Sequence, residues 1–215
     1  MELAEGSSAA DSVNYFIRFA NGLMNETNAL VASTLELLAA IRLEQHKMQN
    51  PAEMNALTEE QGTEFRELHQ QHEQECKFKA QLCGQTLHML TYLTSDAVIK
   101  KPFLQSEILP RFVSMLLNIL NRLVGSKSLE LKVDNMEKYG FHPKELLRDT
   151  CESLIHFCEY PEFQVAIAKD GFYDDGVPLK KAIATVSKVN NLSPESIMQL
   201  RGLYDAVLSA AGENQ

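Results

Sequence analysis

Three groups of side chains in this 215-residue chain could do chemistry. His69, His72 and Cys76 stand at i, i+3 and i+7, a spacing that puts them together on one helix face. Imidazole and thiolate are good zinc ligands, and Cys83 follows one heptad later. A compact zinc site needs four ligands around one point, however, and seven residues of helix part Cys76 from Cys83 by about 10 Å. Any site would have to take ligands from elsewhere in the chain. His72, Cys76 and Cys83 also lie on a packing stripe, where cysteine behaves as a small hydrophobe. Cys151 and Cys158 are likewise seven apart, on the Leu154/Ile155 side of one expected helix, with His156 on a different face. A nucleophilic cysteine needs its pKa lowered by a base or a helix N-terminus, and neither stands ready. Asp174-Asp175 is a carboxylate pair in a Gly-flanked turn, more suited to binding water than to acid–base work. There is no phosphate-cradling glycine loop, no Ser/His/Asp signature and no basic-aromatic interleaving. The expectation is no catalytic residue, no metal site and no cofactor.

The elements that would position these groups are all helical. From Asp11 the apolar residues Val13, Phe16, Ile17, Ala20, Leu23 and Met24 follow a 3.6-residue period, with Asp11 or Ser12 as N-cap. Asn25-Glu26-Thr27-Asn28 suggests a break, with a second helix through Leu30, Leu35, Leu38 and Ile41, and a loop over 45–53 around Pro51. A long helix is expected from about Thr58 to Thr94, with the stripe Phe65, Leu68, His72, Cys76, Ala80, Cys83, Leu87, Leu90. Such an amphipathic helix is marginal alone and must pack on a neighbour. Residues 107–124 are apolar almost all round, as at the centre of a core, and Gly125 ends that helix. Pro143 suits the first turn of the next. Shorter helices follow Pro161 and run through Leu179, Ile183 and Val186, and Ser193-Pro194-Glu195 starts the last. The run Leu129-Glu130-Leu131-Lys132-Val133 is too short to build a sheet.

Composition narrows the function class. Apolar residues make up 45% and charged ones 23% of the chain, so a packed core is expected rather than disorder. Twenty Lys and Arg against 29 Asp and Glu leave a net charge of −9, which argues against nonspecific binding to nucleic acid or anionic membrane. Residues 1–94 hold 13 acids and 6 bases, and residues 95–215 hold 16 and 14. The excess acid therefore sits in the first part, on solvated helix faces. Four cysteines do not make a disulfide scaffold. The acidic start is unlike a secretory leader. The most apolar early stretch, 29–41, is interrupted by Ser33, Thr34 and Glu36, short of a membrane span. An intracellular protein is expected, cytoplasmic or nuclear. The expected organisation is a disordered start over 1–10, an N-terminal helical segment over 11–94 and a C-terminal helical segment of the same core over 95–211.

One stretch carries a family likeness. Pro102-Phe103-Leu104, Glu107-Ile108-Leu109-Pro110-Arg111 and Met115-Leu116 are followed by Leu123-Val124-Gly125-Ser126-Lys127. Leu131-Lys132-Val133 and Lys138-Tyr139-Gly140-Phe141-His142-Pro143-Lys144 come next. This order resembles the core of the U-box ubiquitin-chain elongation ligases, the E-four ubiquitin conjugation factors. Upstream, Asn25-Glu26-Thr27 and the run from Thr86 to Thr94 are similar to the same core. Downstream, Phe163, Ala166-Ile167-Ala168-Lys169-Asp170 and Tyr173 continue it, so the likeness covers roughly 13–190. Ser126 stands where the family usually has proline, and Asp170-Gly171-Phe172-Tyr173 lacks the family's arginine and serine.

The resemblance implies an all-α fold of armadillo-like helical repeats, an irregular α-solenoid. It implies a role in extending ubiquitin chains for proteasomal degradation, with no covalent catalytic cysteine. The implied partners are ubiquitinated substrates, an AAA segregase ATPase, and a ubiquitin-conjugating enzyme bound through a U-box. No U-box follows within these 215 residues, so a core fragment or truncated relative is expected, inactive as a ligase alone. Gly125, Lys127, Lys132, Tyr139, Phe141 and Pro143 are the family-motif residues, expected to be structural. Tyr139 and Phe141 could pin the loop around Gly140 onto the core. Lys127, Lys132, Lys138 and Lys144 could form a basic edge. The rival readings are a non-catalytic helical-repeat interaction module and a helical metalloprotein using the His69/His72/Cys76 face.

Overall fold

The computed structural model describes residues 2–125 and 133–213, with side chains over 11–125 and 133–212. Among the described residues, α-helices run in the order α1 (Glu2–Gln49), α2 (Pro51–Asn55), α3 (Glu59–Ser95), α4 (Leu109–Val124), α5 (Pro143–Ile155), α6 (Pro161–Lys169), α7 (Val177–Val189) and α8 (Pro194–Glu213). Among the described residues there is no strand, and the all-α class holds.

The first 49 residues depart from expectation. One helix of 48 residues replaces the expected pair, beginning at Glu2 rather than Asp11 and crossing 25–28 without a break. Polar residues interrupt a helix only when their side chains compete for backbone groups. Here Asn25 and Asn28 bond across to α4, and Thr27 back-bonds to the Leu23 carbonyl at 2.7 Å within the helix. The buried residues Ala20, Met24, Thr27, Val31, Thr34, Leu38 and Ile41 recur in alternating steps of four and three, a heptad seam. The expected loop over 45–53 shrinks to one non-helical residue, Asn50. Its side chain caps α2, accepting from the Ala52 amide at 3.2 Å.

Helix α3 starts as expected. Thr58 caps it in a reciprocal box with Gln61, at 3.2 and 3.0 Å. Its seam of Cys76, Ala80, Cys83, Leu87, Leu90 and Thr94 is buried and matches the α1 seam in period, so the two long helices form an antiparallel hairpin. Toward its N-terminus the seam turns polar. Leu68 is 46% exposed, and His69 and His72 face α1 in its place.

Helix α4 touches α1, α5, α6 and α7. Phe112, Val113, Leu116, Leu117 and Leu120 are fully buried. Phe103, Phe112, Phe157 and Phe163 form an aromatic chain through this centre, with centroids 5.0 to 5.2 Å apart. One stripe of α4, through Arg111, Ser114 and Asn118, escapes full burial. Gly125 ends α4 with extended φ/ψ rather than left-handed geometry. A Cβ there would collide with the Asn121 carbonyl oxygen. Pro143, Pro161 and Pro194 each open a helix, where a missing N–H costs nothing. Ser193 caps α8, accepting from the Ser196 amide at 3.0 Å. Helix α8 closes the fold against α5, α6 and α7.

Candidate functional site

The polar side chains of the candidate zinc face come together with the Tyr139 turn where α1, α3 and residues 133–141 meet. The 3-10 turn Met136–Tyr139 is bracketed by left-handed Asn135 (φ 55°) and Gly140 (φ 63°). Glycine suits the second position, where a side chain would be strained. The turn drives Tyr139 and Phe141 inward, to 1% and 3% exposure. The Tyr139 hydroxyl donates to Glu73 Oε1 at 2.7 Å and accepts from Gln45 Nε2 at 3.0 Å. Lys138 Nζ donates to both Glu73 oxygens, at 2.7 and 2.8 Å. Burial alone would raise the Glu73 carboxyl, but the hydrogen bonds of Lys138 and Tyr139 hold it below the usual carboxylate range. Burial, then Glu73 itself, pushes the Tyr139 phenol up. One turn away, Glu44 binds His72 Nδ1 at 2.6 Å and His69 Nδ1 at 2.7 Å, one on each oxygen. The other ring nitrogen of His69 faces Glu73 at 3.3 Å. The network thus ties α1 to α3 and the 133–141 segment to both.

This geometry is not that of a zinc centre. Ligands 2.0–2.1 Å from a tetrahedral zinc stand roughly 3.3 Å apart, whereas the Glu44–histidine separations of 2.6 and 2.7 Å are direct hydrogen bonds. Among the described residues no three His, Cys, Asp or Glu side chains are placed to hold a metal. Nor is there an activated thiol. Burial pushes Cys76 and Cys83 up to about 11 and Cys151 to about 12. Cys158 lies beyond the end of α5, which stops at Ile155, so the expected shared helical face with Cys151 does not form. His156 is held below the usual histidine value by burial and by Lys100.

Beside Tyr139 lies a groove of about 260 Å³ between α3 and the start of α5. Ala80 and Gly84 on α3 are too small to fill it, and His88, His142, Glu145 and Asp149 wall it. Asp149 is 4% exposed. Its Oδ1 accepts from Arg148 Nε at 3.0 Å and Nη2 at 2.8 Å, and its Oδ2 lies 3.3 Å from His88 Nδ1. The Asp149 carbonyl accepts from Thr91 Oγ1 at 3.0 Å. No thiol or hydroxyl side chain is among the residues lining this groove.

Of the motif residues, Gly125 sits at the end of α4 and Pro143 at the first position of α5. Lys127 and Lys132 lie outside the described residues. Of the proposed basic edge, Lys138 is spent on Glu73, and Lys144 is exposed. Asp174 and Asp175 form an exposed turn with φ of 45° and 51°. Glu44, Glu73 and Asp149 were not singled out by the sequence. Glu73 stands four residues before Lys77, a spacing that normally signals a surface pair, and Glu44 and Asp149 have no Lys or Arg four residues away, so only the fold shows which partners these acids meet.

The matches to known proteins fit this arrangement. The family model described as the ubiquitin elongating factor core matches residues 5–208. Ubiquitin conjugation factor E4 A of Rattus norvegicus is 29% identical over 175 residues, 81% of this chain and 16% of the relative. The E4 ubiquitin-protein ligase UFD2 of Saccharomyces cerevisiae is 29% identical over 192 residues, 88% of this chain and 20% of the relative. Ubiquitin conjugation factor E4 of Schizosaccharomyces pombe is 28% identical over 196 residues, 90% and 19% respectively. The chain thus spans a fifth or less of the length of these relatives. With its match running from the first turns of α1 into α8, the chain belongs to the ubiquitin elongating factor core family.

Proposed function

We propose that this chain is the helical core of a ubiquitin-chain elongation ligase, holding a ubiquitinated substrate, the ubiquitin-conjugating enzyme and an AAA segregase together for proteasomal degradation. The observation that carries this reading is the family match over 5–208, which runs from within α1 to within α8. The chemistry is consistent with a scaffold. The buried thiols are raised, and both the Tyr139 network and the Asp149 groove offer binding groups without a nucleophile. The helices stack as armadillo-like repeats in this reading. Gly125, Tyr139, Phe141 and Pro143 shape the turns between them in this reading. The place of action is the cytoplasm or nucleus. No described helix is long and apolar enough to cross a membrane.

Purified chain immobilised on a sensor surface tests the scaffold role against three analytes: the AAA segregase, a ubiquitin-loaded conjugating enzyme and a tetra-ubiquitinated substrate. Saturable binding of at least one is expected, and no binding of any overturns the reading. With activating and conjugating enzymes supplied, the chain alone is expected to build no ubiquitin chains. Robust chain formation would show catalysis in the core itself.

A further inference from the structure

A second polar seam lies on the other side of α1, away from Glu44. Asn14, Arg18, Asn21, Asn25 and Asn28 follow each other on α1 in steps of four, three, four and three, one continuous stripe. Opposite them, α4 presents Arg111, Ser114, Asn118 and Arg122. Arg111 Nη1 donates to Asn21 Oδ1 at 2.6 Å and Nη2 to Asn25 Oδ1 at 2.9 Å. Asn118 Nδ2 donates to Asn28 Oδ1 at 3.4 Å, and Arg122 Nε to Asn118 Oδ1 at 3.2 Å. Between the rows lies a groove of about 200 Å³, with buried Met24 and Met115 at its floor and Phe172, 40% exposed, at its edge.

Donor and acceptor accounting decides what this groove can take. A carboxamide has one acceptor oxygen and one NH2 donor. The oxygens of Asn21, Asn25, Asn28 and Asn118 are all occupied within the seam. The Nδ2 groups of Asn21, Asn25 and Asn28 have no partner among the described residues, and the guanidiniums of Arg111 and Arg122 keep further N–H donors. No carboxylate lines the groove. Glu107, one turn ahead of Arg111, is hydrogen-bonded to Ser106 at 3.0 Å. Neither Arg111 nor Arg122 forms an ion pair among the described residues. A cationic, donor-rich seam in a chain of net charge −9 selects a ligand rich in acceptors and negative charge. The step from Asn21 to Asn25 suits an extended backbone. Asn21 and Asn25 are separated by about 6 Å along the helix axis, close to the roughly 6.6–6.8 Å that two extended residues span.

We propose that the α1–α4 seam binds an extended acidic peptide segment of a partner protein. The Asn21, Asn25 and Asn28 amides donate to its backbone carbonyls, and Arg111 takes a carboxylate with Arg18 as a second contact. A nucleic acid would offer acceptors too, but a polyphosphate needs clustered Lys and Arg, and Arg111 is the one cation among the residues lining the groove.

Fluorescence anisotropy with a labelled (Glu-Ser)4 peptide tests this on the full 215-residue chain, beside (Gln-Ser)4, (Lys-Ser)4 and a single-stranded octanucleotide. The acidic peptide is expected to bind tightest. Arg111→Gln is expected to weaken it about tenfold, as the loss of a charge-assisted pair should. Asn21→Ala with Asn25→Ala should weaken the acidic peptide and whatever residual binding (Gln-Ser)4 shows. Gln74→Ala, on the far side of α3, serves as control, and thermal melts confirm that each variant is folded. On adding peptide, the Asn21, Asn25 and Asn28 side-chain amide signals should shift in nitrogen–proton correlation spectra. Equal binding of neutral and acidic peptides, tighter binding of the oligonucleotide, or full binding by Arg111→Gln each overturns the proposal.

Discussion

The Tyr139 hydroxyl donates to the Glu73 carboxylate at 2.7 Å across 66 residues of chain. Tyr139 is 1% exposed, so this bond holds the 133–141 segment against α3 from inside the fold. Tyr139→Phe keeps the ring and removes the hydroxyl. It leaves Glu73 with one donor fewer and Gln45 Nε2 without its acceptor. A loss of about 1.5–3 kcal/mol is expected, as for a hydrogen bond to a charged group. Urea unfolding should show a lower midpoint at unchanged slope.

Glu44 is the only described carboxylate bridging His69 and His72. Glu44→Ala removes acceptors from both imidazoles, and a destabilisation of about 2 kcal/mol is expected from the unpaired polar groups. Thermal unfolding of the variant checks this. The same preparations separate a hydrogen-bonded cluster from a metal centre. Elemental analysis of the parent protein should find under about a tenth of an equivalent of zinc, and chelator should leave its melting temperature unchanged, since a structural zinc would contribute directly to folding.

The thiols should differ in reactivity. Cys76, Cys83 and Cys151 are buried and raised to about 11, 11 and 12. Thiolate rather than thiol attacks iodoacetamide and displaces iodide, so at pH 7.5 the folded chain should take up label at Cys158 alone, slowly, and at all four cysteines in guanidinium. Peptide mass mapping reads this directly. Fast labelling of Cys151 in the folded chain would restore the nucleophile reading.

Acid should destabilise the fold in two stages. His156 has a folded pKa below its ordinary value, by burial first and Lys100 second. Its contribution is therefore present above the unfolded pKa of about 6.5 and is lost as pH falls through the lower folded value. Glu73 is also held low, its hydrogen bonds to Lys138 and Tyr139 overriding the effect of burial. Its contribution is present above about 4.3 and fades further into acid. His156→Gln should flatten the first stage and leave the second, measured as the urea midpoint between pH 7.5 and 3.5.

Local signals in the sequence determined where α3, α5, α6 and α8 begin, although α5 stops at Ile155, short of the expected Cys158. Thr58 and Gln61 form a capping box, Pro143, Pro161 and Pro194 each sit at a first helical turn, and the long stripes repeat at helical period. Capping, proline geometry and amphipathic burial act over a few residues, so they can be read without the fold. The long run of motif residues from Pro102 to Lys144 also placed the chain in its family. The continuity of α1 through 25–28 could not be read that way, because Asn25 and Asn28 stay helical by bonding to Arg111 and Asn118, some 90 residues away. The fate of His69 and His72 was hidden for the same reason. Their spacing put them on one helix face, but nothing local showed that Glu44 arrives from α1 to take the Nδ1 of each. Tertiary packing alone decided which polar side chains meet, because a hydrogen bond depends on positions in space that helical period does not encode.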